Sequence, residues 1–86
     1  MLTGKVLGSV WATRKDHRLN GLKFLIIQPI SLSEDANAPQ RIIVAADTIG
    51  AGVGERVLVV TGSSARVAAG DADMPVDATV VGIIDD

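Results

Sequence analysis

Three glycines alternate with other residues at positions 50, 52 and 54, between two apolar runs. Glycine has no Cβ, so it adopts positive φ angles readily and lets another backbone or a ligand approach closely, at an entropic cost on folding. A segment this poor in side chains needs a physical reason, such as a tight backbone contact. We call residues 48–55 the glycine loop, and any interpretation of the chain has to account for it.

A phosphate-binding loop is one possible use of these glycines. Such a loop follows a strand and opens a helix, whose N-terminal amides and dipole hold the phosphate. Here residues 56–61 form a β-branched apolar run that is typical of a strand. The G-x-G-x-x-G spacing also fails, because Glu55 and Val57 occupy the positions that need the third glycine. The sequence therefore favours a loop between two strands, in contact with a neighbouring backbone or subunit.

A domain of 86 residues buries a smaller fraction of its surface than a larger one, so it needs reinforcement. The sequence has no cysteine and one histidine, His17, which excludes disulfides and leaves almost no metal ligands. Oligomerisation is the remaining means of stabilisation. Hydrophobic residues make up 48% of the sequence, yet only Trp11 and Phe24 are aromatic. The core is therefore predicted to consist of valine, isoleucine, leucine and alanine.

The charge balance and the hydropathy pattern limit the possible partners. The net charge is −2, which argues against a nucleic-acid partner because phosphate backbones are bound by basic surfaces. No signal-peptide pattern is visible, and no apolar run approaches the roughly 20 residues of a membrane span. We expect a soluble cytosolic protein with neither a nucleic-acid nor a membrane partner.

Five segments have the patterns of strands and one has the pattern of a short helix. The predicted strands cover residues 2–11, 23–30, 41–46, 56–61 and 78–84. The helix is predicted over residues 65–69, with a serine N-cap in Gly62-Ser63-Ser64 and a stop at Gly70. Together they predict an all-β fold in a single domain over residues 1–86, a small five-stranded OB-like closed barrel with one short helix.

Individual residues predict local features of these strands. Gly4 and Gly8 weaken a strand unless they mark a bend or a closely packed neighbour. Pro29 removes one donor of the sheet ladder, so its end of the second strand is expected at an edge or a bulge. The dipeptide Asn20-Gly21 is typical of a tight turn and predicts the end of a long hairpin loop.

The sequence gives no pattern for catalysis or for a metal or cofactor site. His17, the single candidate base, lies in a polar loop without the partners of a nucleophilic site. Asp71, Asp73 and Asp77 faintly resemble a calcium loop, but Pro75 stands where a side-chain ligand is needed and no glutamate closes the set. We interpret these aspartates as loop carboxylates, and we predict that the chain is not an enzyme and binds no cofactor.

Several short motifs follow one another from end to end of the chain. They include Gly4-Lys5-Val6-x-Gly8-x-Val10, Leu19-Asn20-Gly21-Leu22-Lys23, the stretch from Asp47 to Glu55, Gly62-Ser63-Ser64-Ala65-Arg66 and Val80-Val81-Gly82-Ile83-Ile84-Asp85. In this order and spacing they resemble the EutN/CcmL family of bacterial microcompartment vertex proteins. Phe24 is a mild departure, because family members tend to carry an aliphatic residue there.

The resemblance implies a structural shell protein of carboxysomes or metabolosomes, in the microcompartment shell of the bacterial cytoplasm. It implies an OB-like barrel that assembles as a homopentamer, with a hexamer less favoured, at the five-fold vertices of a polyhedral shell tiled by hexameric shell proteins. A physical argument agrees with this, because heterologous contacts between copies close a ring. Loops without side chains suit the place where such copies converge.

Two sets of residues are predicted to form contacts. The expected subunit interface or central axis includes Gly50, Gly52, Gly54, Glu55, Ser63, Ser64 and Arg66. Glu55 is expected to pair with Arg56 or Arg66 or to accept hydrogen bonds from loop amides. The candidate contacts with other shell proteins are the loop over residues 12–21, with Arg14, Lys15 and Arg18, and the loop over residues 31–40. The simpler alternative for these charges is a solvated hairpin tip.

The main alternative function is an OB-fold module that binds single-stranded nucleic acid or an oligosaccharide. Such modules stack bases or sugars on exposed aromatic side chains in a basic groove. The two aromatic residues and the acidic charge balance of this chain make that alternative less favoured.

Overall fold

Five strands close on themselves around an aliphatic core. The computed structural model describes residues 1–12, 15–30 and 41–85. Along the chain these form β1 (Leu2–Val10), a 3-10 turn (His17–Leu19), β2 (Lys23–Ile30), β3 (Ile43–Asp47), β4 (Arg56–Thr61), α1 (Ser63–Ala69) and β5 (Ala78–Ile84). The strands form a closed barrel in the order β1-β2-β3-β5-β4. Neighbours are antiparallel except β3 and β5, which are parallel.

The barrel confirms the predicted fold, with small differences in the element bounds. β1 ends one residue earlier than predicted, and β3 covers residues 43–47 instead of 41–46. The predicted serine N-cap of α1 is wrong, because Gly62 is the N-cap and no side chain caps the helix. Gly62 makes the turn out of β4 at a φ of 67°, so both serines fall within the first helical turn. In the described part of the chain, no helix is long and apolar enough to cross a membrane.

Small and branched aliphatic side chains fill the barrel, as the composition predicts. Ala51 belongs to this core, so the glycine loop inserts one residue into the barrel interior. Both aromatic residues lie outside this buried cluster. The buried cluster consists of Val6, Leu25, Ile27, Ala45, Ala51, Val57, Val59, Ala78 and Val80.

The predicted roles of glycine and proline in the strands are also confirmed. A Cβ at Gly4 would overlap Cγ2 of Ile27 on β2, so the two strands can pack closely only with glycine there. Gly8 directly follows a register shift of β1, which marks a bulge. Pro29 pairs with β1 but lies beyond the part of β2 that pairs with β3, so its missing donor interrupts no ladder on that side.

The glycine loop and α1 lie at opposite ends of β4. The loop ends where β4 begins at Arg56, and α1 begins at Ser63, two residues after β4 ends. The six residues of β4 span roughly 20 Å at the usual rise of a strand. These two segments carry all the residues that the sequence assigns to the subunit interface, and the barrel holds them apart.

Candidate subunit interface

The start of the glycine loop is held by Asp47, the last residue of β3. One carboxylate oxygen of Asp47 accepts hydrogen bonds from the backbone amides of Ile49 and Gly50, at 2.9 and 3.0 Å. The other oxygen accepts the amide of Ala51 at 2.9 Å. Asp47 is only 6% exposed. Sequence reasoning missed this role, although an aspartate at the start of a loop is a known signal for such side-chain-to-backbone bonds.

The end of the glycine loop is held by Glu55 and by β1. The carboxylate of Glu55 accepts the amide of Gly52 at 2.6 Å, which confirms the expected bond to a loop amide. The amide of Gly54 donates to the carbonyl of Val6 at 2.9 Å, and the amide of Val6 donates to the carbonyl of Glu55 at 3.0 Å. The tight backbone contact predicted for this loop is therefore present within the subunit.

The three loop glycines differ in what they do inside the subunit. Gly50 and Gly54 have φ angles of 93° and 89°, a region that strongly favours glycine. Gly52 has no positive φ, and a Cβ there would lie 3.3 Å from the Glu55 carboxylate, the end of a flexible side chain. The backbone conformation of the single chain thus explains Gly50 and Gly54 but not Gly52.

Apolar side chains project from the glycine loop into solvent. Ile49 is 47% exposed and Val53 is 72% exposed. Exposed apolar groups that cluster on a small protein indicate a contact surface, whereas isolated ones need no explanation. The glycine loop thus carries exposed apolar side chains at Ile49 and Val53.

α1 also presents an apolar residue away from the barrel. Its buried residue is Ala65, whose carbonyl accepts the hydroxyl of Thr79 on β5 at 2.7 Å. Val67 is 62% exposed. Arg66 is half-buried, and its side chain forms no hydrogen bond or ion pair with any residue that the structure describes. The exposed side of the helix forms a shallow, open depression lined by Ser63, Ser64, Val67 and Ala68.

Arg14 and the loop over residues 31–40 lie outside the described residues. Arg18 is fixed in place: its guanidinium bonds both carboxylate oxygens of Asp16, at 3.0 and 2.8 Å, and donates to the carbonyl of Asp73 at 3.0 Å. Hydrogen bonds from the Arg18 side chain and backbone hold the pKa of Asp16 well below its ordinary value. The Asp16 carboxylate in turn raises the pKa of Arg18.

Lys15 lies beside an aromatic side chain that sequence reasoning did not assign to any site. Its ammonium is 4.7 Å from the centre of the Trp11 ring, within the range of a cation–π contact. Trp11 is 82% exposed. Trp11, Lys15, Lys23 and Phe24 line a cleft of about 410 Å³, so both aromatic residues of the chain meet at one surface.

None of these surfaces has the arrangement of a catalytic site. His17 is exposed, and its Nδ1 lies 3.9 Å from the Asp16 carboxylate. Among the described residues, no group of three or more histidine or acidic side chains is placed to hold a metal ion. Asp71 accepts the backbone amide of Asp73 at 2.8 Å, which is the behaviour of a loop carboxylate.

The whole chain matches a known family of shell proteins. A family model described as ethanolamine utilisation protein EutN/carboxysome matches residues 1–85. The chain belongs to the EutN/CcmL family. The resemblance found in the sequence motifs is therefore confirmed.

Three relatives show how close this membership is. The carboxysome shell vertex protein CcmL of Synechocystis is 47% identical over 85 residues, which cover 99% of this chain and 83% of CcmL. The microcompartment shell vertex protein EutN of Escherichia coli is 42% identical over 94% of this chain and 83% of EutN. The solved structure of the pentameric microcompartment shell protein GrpN from Rhodospirillum rubrum superposes with a TM-score of 0.82 at 41% identity, covering 100% of this chain and 95% of GrpN.

The relatives also decide between the functions weighed from the sequence. Members of the EutN/CcmL family with 41 to 47% identity are named as shell vertex proteins of carboxysomes and other microcompartments. The chain is thus a structural component of a microcompartment shell and not an enzyme. The alternative of a module for nucleic acid or oligosaccharide is not favoured.

Proposed function

We propose that this chain forms a homopentamer that closes the five-fold vertices of a microcompartment shell. The main support is the superposition on pentameric GrpN over the full length of this chain, with a TM-score of 0.82. The barrel itself adds a physical reason, because it has no disulfide and leaves Ile49, Val53 and Val67 exposed. Self-association buries such groups and stabilises a small domain.

In this proposal, the subunit interface or central axis includes the residues that the sequence predicts there. They are Gly50, Gly52, Gly54, Glu55, Ser63, Ser64 and Arg66. Their surroundings support the assignment, since the exposed Ile49 and Val53 lie among the glycines and the exposed Val67 follows the serines. Gly52 supports it further, because the single chain gives only a weak reason for a missing side chain there.

Native mass spectrometry of the purified chain tests the assembly directly. We expect a complex of five chains of 8.9 kDa each. A complex of six would support the less favoured hexamer. A monomer that persists at tens of micromolar would contradict self-association altogether.

We also infer that the loop over residues 12–21 contacts hexameric shell proteins. The exposed Trp11 supports this, because aromatic side chains are enriched at protein interfaces. Arg18 bonds the Asp16 carboxylate and the carbonyl of Asp73, so residues 16–18 are held in place before any partner arrives. The contacts of Arg14 and of residues 31–40 with other shell proteins stay predictions. The location of the shell in the bacterial cytoplasm is also a prediction.

A co-assembly assay with a hexameric shell protein tests this second contact. The double variant Arg14→Gln/Lys15→Gln removes two charges and leaves the bonds of Arg18 intact. We expect co-assembly to weaken by about tenfold, the usual size of an interface hot spot. Lys5→Gln, at an exposed position of β1, is the matched control. Normal co-assembly of the double variant would remove this loop from the proposal.

A further inference from the structure

The two halves of the proposed interface cannot meet within one subunit. The glycine loop ends at Glu55 and α1 begins at Ser63, with the whole of β4 between them. α1 packs against β4 and β5 at the far end of the barrel, while the loop is bonded to Asp47 and to Val6. Each segment must therefore find its partner on another chain or remain exposed.

Ring geometry indicates which surface each segment meets. In a closed ring with rotational symmetry, every interface is heterologous for an odd number of subunits, so two different patches meet at each contact. The glycine loop and the exposed face of α1 are two different patches, at opposite ends of one strand. We infer that the glycine loop of one subunit docks against the exposed face of α1 on the next, an inference that rests on the proposed pentamer.

Both patches carry exposed apolar side chains. The loop presents Val53 and Ile49 as projecting apolar groups. The α1 face is a shallow, open depression lined by Ser63, Ser64, Val67 and Ala68. Small side chains along a helix let another backbone approach closely, and a loop rich in glycine has no side chains of its own to prevent this. In our proposal, Val53 packs on this face as an apolar anchor.

The charges on the two patches are opposite. Glu55 is exposed on the loop side. Arg66 on α1 has no hydrogen-bond or ion-pair partner among the described residues of its own chain. The carboxylate of Glu55 already accepts the Gly52 amide, and a carboxylate has further lone pairs for an arginine. The expected intrachain pairing of Glu55 with Arg66 is absent, and the same pair forms across the subunit contact in our proposal.

Both patches are also rigid before they meet. Asp47 and Glu55 bond four amides of the loop between them. α1 is tied to the barrel by the hydroxyl of Thr79. Association of preformed surfaces loses less conformational entropy than association of flexible ones. The loop and the helix therefore have the properties expected of matched contact surfaces.

Cross-linking between engineered cysteines tests the loop–helix contact. The chain has no cysteine of its own, and Val53 and Val67 are both exposed, so Val53→Cys and Val67→Cys leave the core untouched. A short thiol-specific cross-linker should convert the double variant into a ladder of two to five covalently joined chains. Each single variant should stay a single chain under denaturing conditions, because a heterologous contact places unlike positions together.

In the matched control, the second cysteine is placed at Val44, an exposed valine on β3, instead of at Val67 on α1. Val53→Cys/Val44→Cys should give no ladder. A pentamer in native mass spectrometry without a Val53–Val67 ladder, or with an equal ladder from the control, would overturn the loop–helix contact and leave the pentamer standing. Absence of a pentamer would instead contradict the proposed function.

A double-mutant cycle tests the ion pair separately. Glu55→Gln keeps an oxygen for the Gly52 amide, and Arg66→Gln keeps a polar side chain of similar length. Each single variant should cause a several-fold increase in the concentration at which the pentamer dissociates. The double variant should dissociate no more readily than whichever single variant forms the less stable pentamer, because the same interaction can be lost only once. Strictly additive effects would show that the two side chains do not pair.

Discussion

The Asp47 carboxylate accepts the backbone amide of Ala51 across the first turn of the glycine loop, with 2.9 Å between Oδ2 and the nitrogen. Ala51 is completely buried in the barrel core. The bond therefore connects the last residue of β3 to the single loop residue that enters the interior. The shape of the glycine loop depends on this contact and on the bonds from the other oxygen to Ile49 and Gly50.

Replacement of Asp47 by alanine should destabilise the fold. The variant leaves a buried amide and two partly buried amides without their acceptor, which costs about 2 to 3 kcal/mol of unfolding free energy. Asp47→Asn keeps one oxygen and should cost about half as much. Urea denaturation measures both, with the exposed Asp85→Asn as a near-neutral control. An unchanged midpoint for Asp47→Ala would mean that the loop does not depend on this carboxylate.

Alanine at Gly4 should be far more harmful than alanine at Gly8, although both glycines lie in β1. The new methyl group at Gly4 overlaps Cγ2 of Ile27 and lies 3.0 Å from the carbonyl oxygen of Gln28, so we expect a loss of about 1 to 3 kcal/mol. At Gly8 the nearest atom, Cδ1 of Ile26, is at an ordinary 3.9 Å. Thermal unfolding of the two variants measures the difference, and equal melting temperatures would contradict the close packing of β1 on β2.

Valine at Gly52 should separate assembly from folding. Gly52 has no positive φ, and the only close contact of a new Cβ is the flexible Glu55 carboxylate, so the single barrel should tolerate the change. A branched side chain in the proposed interface should weaken the pentamer by at least about tenfold. Native mass spectrometry at matched concentrations, together with circular dichroism, checks this. A Gly52→Val pentamer of unchanged mass and stability would exclude Gly52 from the interface.

Asp16 should remain ionised at an unusually low pH. Hydrogen bonds from Arg18 lower the pKa of Asp16 in the folded state. These bonds therefore stabilise the fold fully at a pH above the ordinary pKa of about 3.9. The stabilisation is lost as the pH falls through the lowered pKa of the folded state. Carbon NMR of the side chain should show the charged form of Asp16 at about pH 3, and Arg18→Gln should move the midpoint toward the ordinary value, because only the backbone hydrogen bond from residue 18 remains. Arg66→Gln is the control. An ordinary midpoint in the unchanged chain would mean that the Asp16–Arg18 pair does not form in solution.

Much of the fold was predictable because it rests on local patterns. The β-branched runs over residues 23–30, 56–61 and 78–84 gave strands with those same bounds, since alternation and branching report directly on a pleated surface. The Asn20-Gly21 turn is also present, with Gly21 at a φ of 86°. The short motifs, in their fixed order, indicated the EutN/CcmL family.

The candidate site was less predictable, because it depends on which distant residues the barrel brings together. A glycine-rich sequence permits many loop shapes, and the one observed is selected by the burial of Ala51 and by amides aimed at Asp47 and Glu55. The exposure of Trp11 next to Lys15 is likewise a product of the hairpin geometry. The composition shows that aromatic residues are scarce, but it does not show where they lie on the surface.

The sequence by itself determined the five strands, the short helix, the aliphatic core and the family, because each follows from local periodicity or from motifs in a fixed order. Only the tertiary structure decided that the glycine loop and α1 lie at opposite ends of the barrel. Residues 55 and 63 are close along the chain, but a strand between them is nearly extended, so it carries its two ends to opposite sides of the barrel.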